Sequence, residues 1–241
     1  MPRIAIVAAL ERELRPLIHN WPATTALHEG RAFRFYESDY AVVVCGGIGG
    51  EAARRAAEAV IVRYSPRIIL SAGIAGALVP ELHVGETIFP ATVIDTQDGS
   101  RHPTAIQNSP VSHTALARTI LASSPQIAGV EQKQQLAKSY GAHAVDMEAA
   151  AVARAALVHN LPFIAIKAIS DEHDFEMPEM SRFVQGGEFQ TRGFAFHVAL
   201  RPWLWLRVFR LARDSKLASE NLCSWLRESA LTNTIVTGTK N

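Results

Sequence analysis

Four carboxylates stand where this chain could do chemistry. Asp146 and Glu148 lie in Ala142-His-Ala-Val-Asp-Met-Glu-Ala-Ala-Ala-Val-Ala153, at the entrance to an alanine-rich helical run. Asp171 ends Phe163-Ile-Ala-Ile-Lys-Ala-Ile-Ser-Asp171, an apolar, β-branched strand that stops abruptly on Ser170 and Asp171. Glu13 follows the first apolar run of the chain, between Arg12 and Leu14. A carboxylate at the C-terminal end of a buried strand sits where open α/β sheets bind ligands. One at a helix start lies in the favourable field of the N-terminal dipole. Such groups can act as general acids or bases, or hold a developing positive charge. Each also has a plainer reading as a helix cap, a strand-end turn or a solvated helix residue.

Two glycine-rich stretches read as turns that would bring loops to the same sheet edge. Gly46-Gly-Ile-Gly-Gly50 follows a strand and precedes a helix, so its backbone N–H groups could meet an anion. Ala72-Gly-Ile-Ala-Gly76 reads as a second glycine turn after a second strand. Neither is a dinucleotide fingerprint or a P-loop, because the glycine spacing and the lysine–serine pair are missing. The nine histidines form no zinc pattern, and His173 beside Asp171 and Asp174 reads as a polar turn. No G-x-S-x-G elbow is present, which sets aside a serine hydrolase.

These residues need a frame. Residues 3–9, 33–38, 40–45, 67–71, 84–94 and 163–170 read as strands, and 10–18, 51–64, 112–122, 131–139 and 149–160 as helices. Residues 95–110 read as a loop, and 175–187 as an irregular segment that is either a mobile flap or an ordinary connection. Strands alternating with helices predict an α/β fold: three αβα layers around a central mixed sheet. The chain has 241 residues, 48% of them apolar, enough for one large domain with a sizeable core. Residues 201–241 read as a C-terminal helical extension. With 24 basic and 23 acidic side chains the chain lacks the basic excess of a general nucleic-acid binder. Cys45 and Cys223 match no metal spacing. The N-terminus carries too short an apolar run for a signal peptide, so a cytoplasmic protein is expected.

In sequence order, Ile6-Val-Ala-Ala-Leu-Glu-Arg-Glu13, the Gly47-Ile-Gly49 turn, Ala72-Gly-Ile-Ala-Gly76, Ala-Val-Asp-Met-Glu148 and Ala-Ile-Ser-Asp171 resemble the superfamily of purine nucleoside phosphorylases and methylthioadenosine/S-adenosylhomocysteine nucleosidases. The likeness runs from about residue 3 to residue 174. It implies that Asp171 protonates or hydrogen-bonds purine N7 as the base leaves, and that Glu148 binds the ribose hydroxyls. Met147 would pack on the sugar and base, and Glu13 would activate water. Gly47, Ile48, Gly73, Ile74, Ala75, Gly76 and Ser170 complete the implied substrate-binding set. The residue types suit the reaction, since breaking an N-glycosidic bond builds positive charge on the ribose and negative charge on the base.

Three departures leave the acceptor open between phosphate and water. Ile74 stands where many members have Ser or Thr, Lys167 fills the position of the nucleosidase arginine, and the Gly-Asp-Pro phosphate loop is absent. The compact centre and the tail are most similar to the phosphorylases associated with hopanoid biosynthesis, which act on an adenosyl-hopane. The resemblance therefore implies cleavage of a purine nucleoside, a 5′-substituted adenosine in kind, by such a phosphorylase. A methylthioadenosine/S-adenosylhomocysteine nucleosidase is the alternative, and a non-catalytic nucleoside-binding protein is an alternative of another class. No metal or organic cofactor is expected, with inorganic phosphate open as a co-substrate. A homodimer or higher homo-oligomer is expected.

The tail carries one more pattern. From Pro202 to Leu211, tryptophans and leucines alternate with Arg207 and Arg210, and Arg213 continues the three-residue spacing. The helix this predicts has two readings: packing on the sheet or a dimer partner, or peripheral contact with a membrane surface.

Overall fold

The computed structural model describes residues 4–108, 118–178, 183–185, 188–190, 194, 197–198 and 201–231. Its centre is built from the most apolar runs: β1 (Ile4–Ala8), β4 (Ala41–Cys45), β5 (Ile68–Ala77) and β11 (Phe163–Asp171). Strand side chains alternate between faces, and here both faces are covered. Ala5, Val7, Val42, Val44 and Ile69 pack against α2 (Gly50–Tyr64) and α4 (Ala149–Val158). Ile4, Ile6, Val43, Leu70 and Ile166 face the opposite layer, made by α1 (Glu11–Ile18) and the long α5 (Pro202–Leu231). Burial on both faces is why these strands read as continuous hydrophobic runs rather than alternating ones.

Among the described residues the sheet has eleven strands and is mixed. The outer strands on one side are β2 (Ala23–His28) and β3 (Arg31–Glu37), antiparallel to each other and to β4. On the other side lie β10 (Ala144–Asp146), β9 (Ile120–Ser123), β7 (Thr92–Asp95) and β8 (Arg101–Pro103). β5 is the hub: it runs parallel to β1 and β11 and meets β10 antiparallel at its C-terminal end. β6 (Thr87–Ile88) closes the far edge of β11. α3 (Val130–Tyr140) packs through Leu136 on Val145, Ala122 and Leu78. This is the three-layer α/β arrangement with a mixed sheet that the alternation of strands and helices predicts.

Several local readings are corrected. Residues 72–76 are not a turn, because β5 runs through them to Ala77. Residues 120–122, read as helical, are part of β9, parallel to both β7 and β10. A short apolar run carries no decisive period, so sheet pairing decides it. The neighbouring residues 112–117 of that expected helix lie outside the described residues. Residues 95–110 are not all loop, since β8 and a 3₁₀ turn at Ala105–Asn108 fall within them. β2 and β10 went unread, the first exposed and polar, the second only three residues long.

The expected flap lies partly outside the described residues. Of the rest, Phe175 is buried, and β12 (Val184–Gln185) pairs with β13 (Glu188–Phe189). α5 divides into two halves. Ala218, Leu222, Cys223 and Leu226 join the core, whereas Trp203, Leu206 and Phe209 are 71%, 83% and 70% exposed. The arginines do not form a free basic face. Arg207 pairs with Glu176 at 2.5 Å, Arg210 with Glu172 at 2.9 Å, and Arg213 with Asp214 at 2.8 Å. No described helix is long and apolar enough to cross a membrane.

Candidate functional site

The glycines inside β5 explain why the strand is so poor in side chains. A Cβ on Gly76 would lie 2.8 Å from Asp171 Oδ2, and one on Gly73 would lie 3.0 Å from Glu13 Oε2. Glycine lets two carboxylates from neighbouring elements rest against the backbone of the central strand. Gly76→Ala is therefore expected to displace Asp171 and to cost about 10²-fold in turnover, the scale of a 1 Å misplacement. Gly129→Ala, which meets nothing within 4 Å, serves as the control and should keep full activity.

Asp171 is buried at the end of β11, where the register with β5 shifts. Its Oδ1 accepts from Ser170 Oγ at 2.7 Å. Its Oδ2 accepts from Lys133 Nζ, and the same ammonium donates to the Glu172 carbonyl at 2.6 Å. Lys133 is 1% exposed. It was missed because its neighbours, Glu131-Gln-Lys-Gln-Gln135, give the helix read over 131–139 a polar character. The available signal was positional: Lys133, Leu136, Ala137 and Tyr140 follow the i, i+3, i+4, i+7 stripe that turns inward.

The other carboxylates form a second cluster. Asp146 ends β10, and its Oδ2 accepts from the Ala149 N–H at 2.9 Å, capping α4. The same oxygen lies 2.8 Å from Lys167 Nζ. Lys167 also donates to Ser71 Oγ at 3.1 Å. Glu148 Oε1 accepts from the Gly49 N–H at 2.8 Å. The anion that the glycine loop could hold at the start of α2 is thus a side chain of this protein. Gly47 and Gly49 have φ of 102° and 94°, the turn geometry glycine permits.

Charge and burial shift these groups in definite directions. Burial, with the Glu148 charge added, pushes Glu13 up to about 8, although Lys167 opposes the rise. Burial, with Asp146 added, pushes Glu148 up to about 7, again opposed by Lys167. Burial disfavours the Lys167 ammonium, yet Asp146, Glu148 and Glu13 more than offset it and raise its pKa.

The four carboxylates, Glu13, Asp146, Glu148 and Asp171, all line one cavity of about 1000 Å³. Glu13, Ile48, Met147, Glu148, Ser170 and Asp171 line it, as do Ile74, Ala75 and Gly76. Gly47 and Gly73 do not: Gly47 shapes the loop, and Gly73 lies behind Glu13. The cavity also takes in Gln126, Ile127 and Ala128 before α3, Arg12 and Arg15 from α1 and His19 just past it, and Val208, Leu211 and Ala212 from α5. None of these was singled out as a site residue from the sequence.

The sequence profile described as the phosphorylase superfamily matches residues 3–127 and 115–192. A 5′-methylthioadenosine/S-adenosylhomocysteine nucleosidase of Staphylococcus aureus (strain bovine RF122 / ET3-1) is 30% identical over 196 residues, covering 70% of this chain and 86% of its own. Among solved structures, the nucleosidase of that name from Colwellia psychrerythraea 34H, in complex with adenine, superposes with a TM-score of 0.68 at 19% identity, covering 96% of this chain and 95% of its own. The futalosine hydrolase of Helicobacter pylori strain 26695 does so with a TM-score of 0.64 at 20% identity, covering 94% and 98%.

Proposed function

From the premise that the chain belongs to the phosphorylase superfamily and is an enzyme cleaving N-glycosidic bonds of purine nucleosides, we propose that it hydrolyses a 5′-substituted adenosine, with water as the acceptor. Asp171 delivers a proton to N7 of the base, Glu148 binds the ribose hydroxyls and steadies the cationic sugar, and Glu13 takes the proton of the attacking water. The observation that carries this reading is the single cavity that holds Glu13, Glu148 and Asp171 together. Water is favoured over phosphate because Lys167, the buried cation at the Glu13 end, is already held by Asp146 and Ser71. A dianionic acceptor there would also make ionising Glu13 and Glu148, already raised by burial, more costly. A base with a pKa raised toward the working pH suits proton removal from water.

The size of the cavity bears on the 5′ substituent. It stands at the upper end of the roughly 300–1,000 Å³ range of small-molecule pockets. The first part of its α5 wall is apolar through Val208, Leu211 and Ala212, and the rest is polar through Ser215, Lys216, Ser219 and Glu220. This supports a bulky, lipophilic 5′ group of the kind an adenosyl-hopane carries, as well as the smaller methylthio group. The proposal includes a homodimer, supported by the exposed apolar side chains Leu27, Val62, Leu157 and Val158 on β2, α2 and α4.

The test is a panel of adenosine, inosine, methylthioadenosine and a 5′-lipophilic adenosine, each with and without phosphate, with the sugar product identified. A free sugar without phosphate, 5-substituted where the substrate is, supports hydrolysis. The matching sugar 1-phosphate formed only when phosphate is added would replace water by phosphate, and binding without base release would turn the reading to a nucleoside-binding protein. Glu148→Gln is expected to weaken transition-state binding by about 1–3 kcal/mol, the range for hydrogen bonds to charged groups. If wild type and variant discriminate equally against 2′- and 3′-deoxy substrates, Glu148 is not at the ribose.

A further inference from the structure

We propose that Lys133 is the source of the proton that reaches the leaving base, with Asp171 as the group that passes it on. The proposal rests on the reading of Asp171 as the base-side residue. Asp171 Oδ1 already accepts from Ser170, and Oδ2 already accepts from Lys133. A carboxylate with a donor on each oxygen is an acceptor and has no proton of its own to give. Purine N7 needs one. The ammonium of Lys133 touches the carboxylate, lines the same cavity and is buried from bulk water. A second bond, to the Glu172 carbonyl, holds the amine in place before and after transfer.

The step balances. The C1′–N9 bond breaks and its electron pair passes into the purine. N7 takes a proton from the Asp171 carboxyl group as the Lys133 ammonium hands its own to that carboxylate. Water adds to C1′ and gives its proton to Glu13. Lys133 is left as a neutral amine and Glu13 as a neutral acid, and exchange with solvent resets both. By contact Lys133 is a positioning residue, since it acts through Asp171. A mere anchor between α3 and β11 would not need to rest on the carboxylate aimed at the base.

The experiment compares the full-length wild type, Lys133→Met and Lys133→Ala, using methylthioadenosine as the probe and thermal melting to confirm folding. Lys133→Met should lose about 10²-fold or more in kcat, the scale of a lost proton donor, with KM within about threefold of wild type. Lys133→Ala should regain activity with added alkylammonium ions, and more strongly acidic ions should restore more. Rescue that ignores the acidity of the ion, or a loss confined to KM, would overturn the proposal in favour of a structural anchor. So would a folded Lys133→Met with near wild-type kcat. If Lys133→Met fails to fold, the rescue series on Lys133→Ala decides, and absence of rescue counts against the proposal. Base release by the wild type separates the two levels: without it the proposed hydrolysis itself falls, whereas with it only the role of Lys133 is in question.

Discussion

Asp171→Asn is expected to lower kcat by about 10²–10⁴-fold while leaving nucleoside binding largely intact. The amide keeps a carbonyl oxygen for Ser170 or Lys133 and can still hydrogen-bond the base. It cannot take a proton from one side and release it on the other. The substitution also removes the charge opposite a buried ammonium, and leaving one member of such a pair costs about 3–5 kcal/mol of stability. Both effects should appear together: a lower melting temperature and a folded protein that binds substrate but turns it over slowly. Equilibrium binding of a nucleoside and single-turnover base release measure the two separately. Near wild-type base release from a folded variant would remove Asp171 from the chemistry.

Glu13→Gln should be as damaging if water is the acceptor, with a loss again of about 10²–10⁴-fold, and should matter little if phosphate attacks, because phosphate needs no proton removed. The pH dependence gives a second handle. Glu13 must be ionised to accept a proton, and burial raises it to about 8. The wild-type kcat/KM should therefore climb with pH and level off above about 8. Stability should move the other way. The folded protein keeps the Glu13 proton up to about 8, whereas the unfolded chain releases it near the ordinary value of 4.5. Between those values the native state binds more protons, so stability falls as pH rises. That contribution is fully present below about 4.5 and lost as pH passes through about 8. Glu13→Gln has no such group, so its melting temperature should gain on the wild type across this window. A flat kcat/KM profile from pH 6 to 9 would exclude Glu13 as the water-activating base.

The sequence by itself determined the sheet centre and marked Asp171, Met147 and Glu148 as candidate site residues. Continuous apolar runs such as Ile4–Ala8 and Phe163–Asp171 allow little but strands buried on both faces. A polar residue that ends such a run, as Asp171 does, is carried to the sheet edge by the strand. Met147 and Glu148 follow from the abrupt onset of the alanine-rich helix. The roles proposed for them come only from the family pattern, because a carboxylate at a helix start looks the same whether it caps a helix or binds a sugar.

The tertiary structure decided what depends on neighbours distant in the chain. Gly73 and Gly76 read as a turn, since glycine is the ordinary punctuation of loops. They are strand residues because Glu13 and Asp171 occupy the space a Cβ would need. The N–H at Gly49 read as free for a ligand anion, and Glu148, 99 residues away, takes it. Lys133 drew no notice within the polar helix read over 131–139, and Leu136 on the same face turns it into the core against Asp171. In each case local composition gives the intrinsic preference of a segment, while burial and pairing are set by contacts between segments. Those contacts are what bring Lys133, Asp171, Glu13 and Glu148 around one cavity.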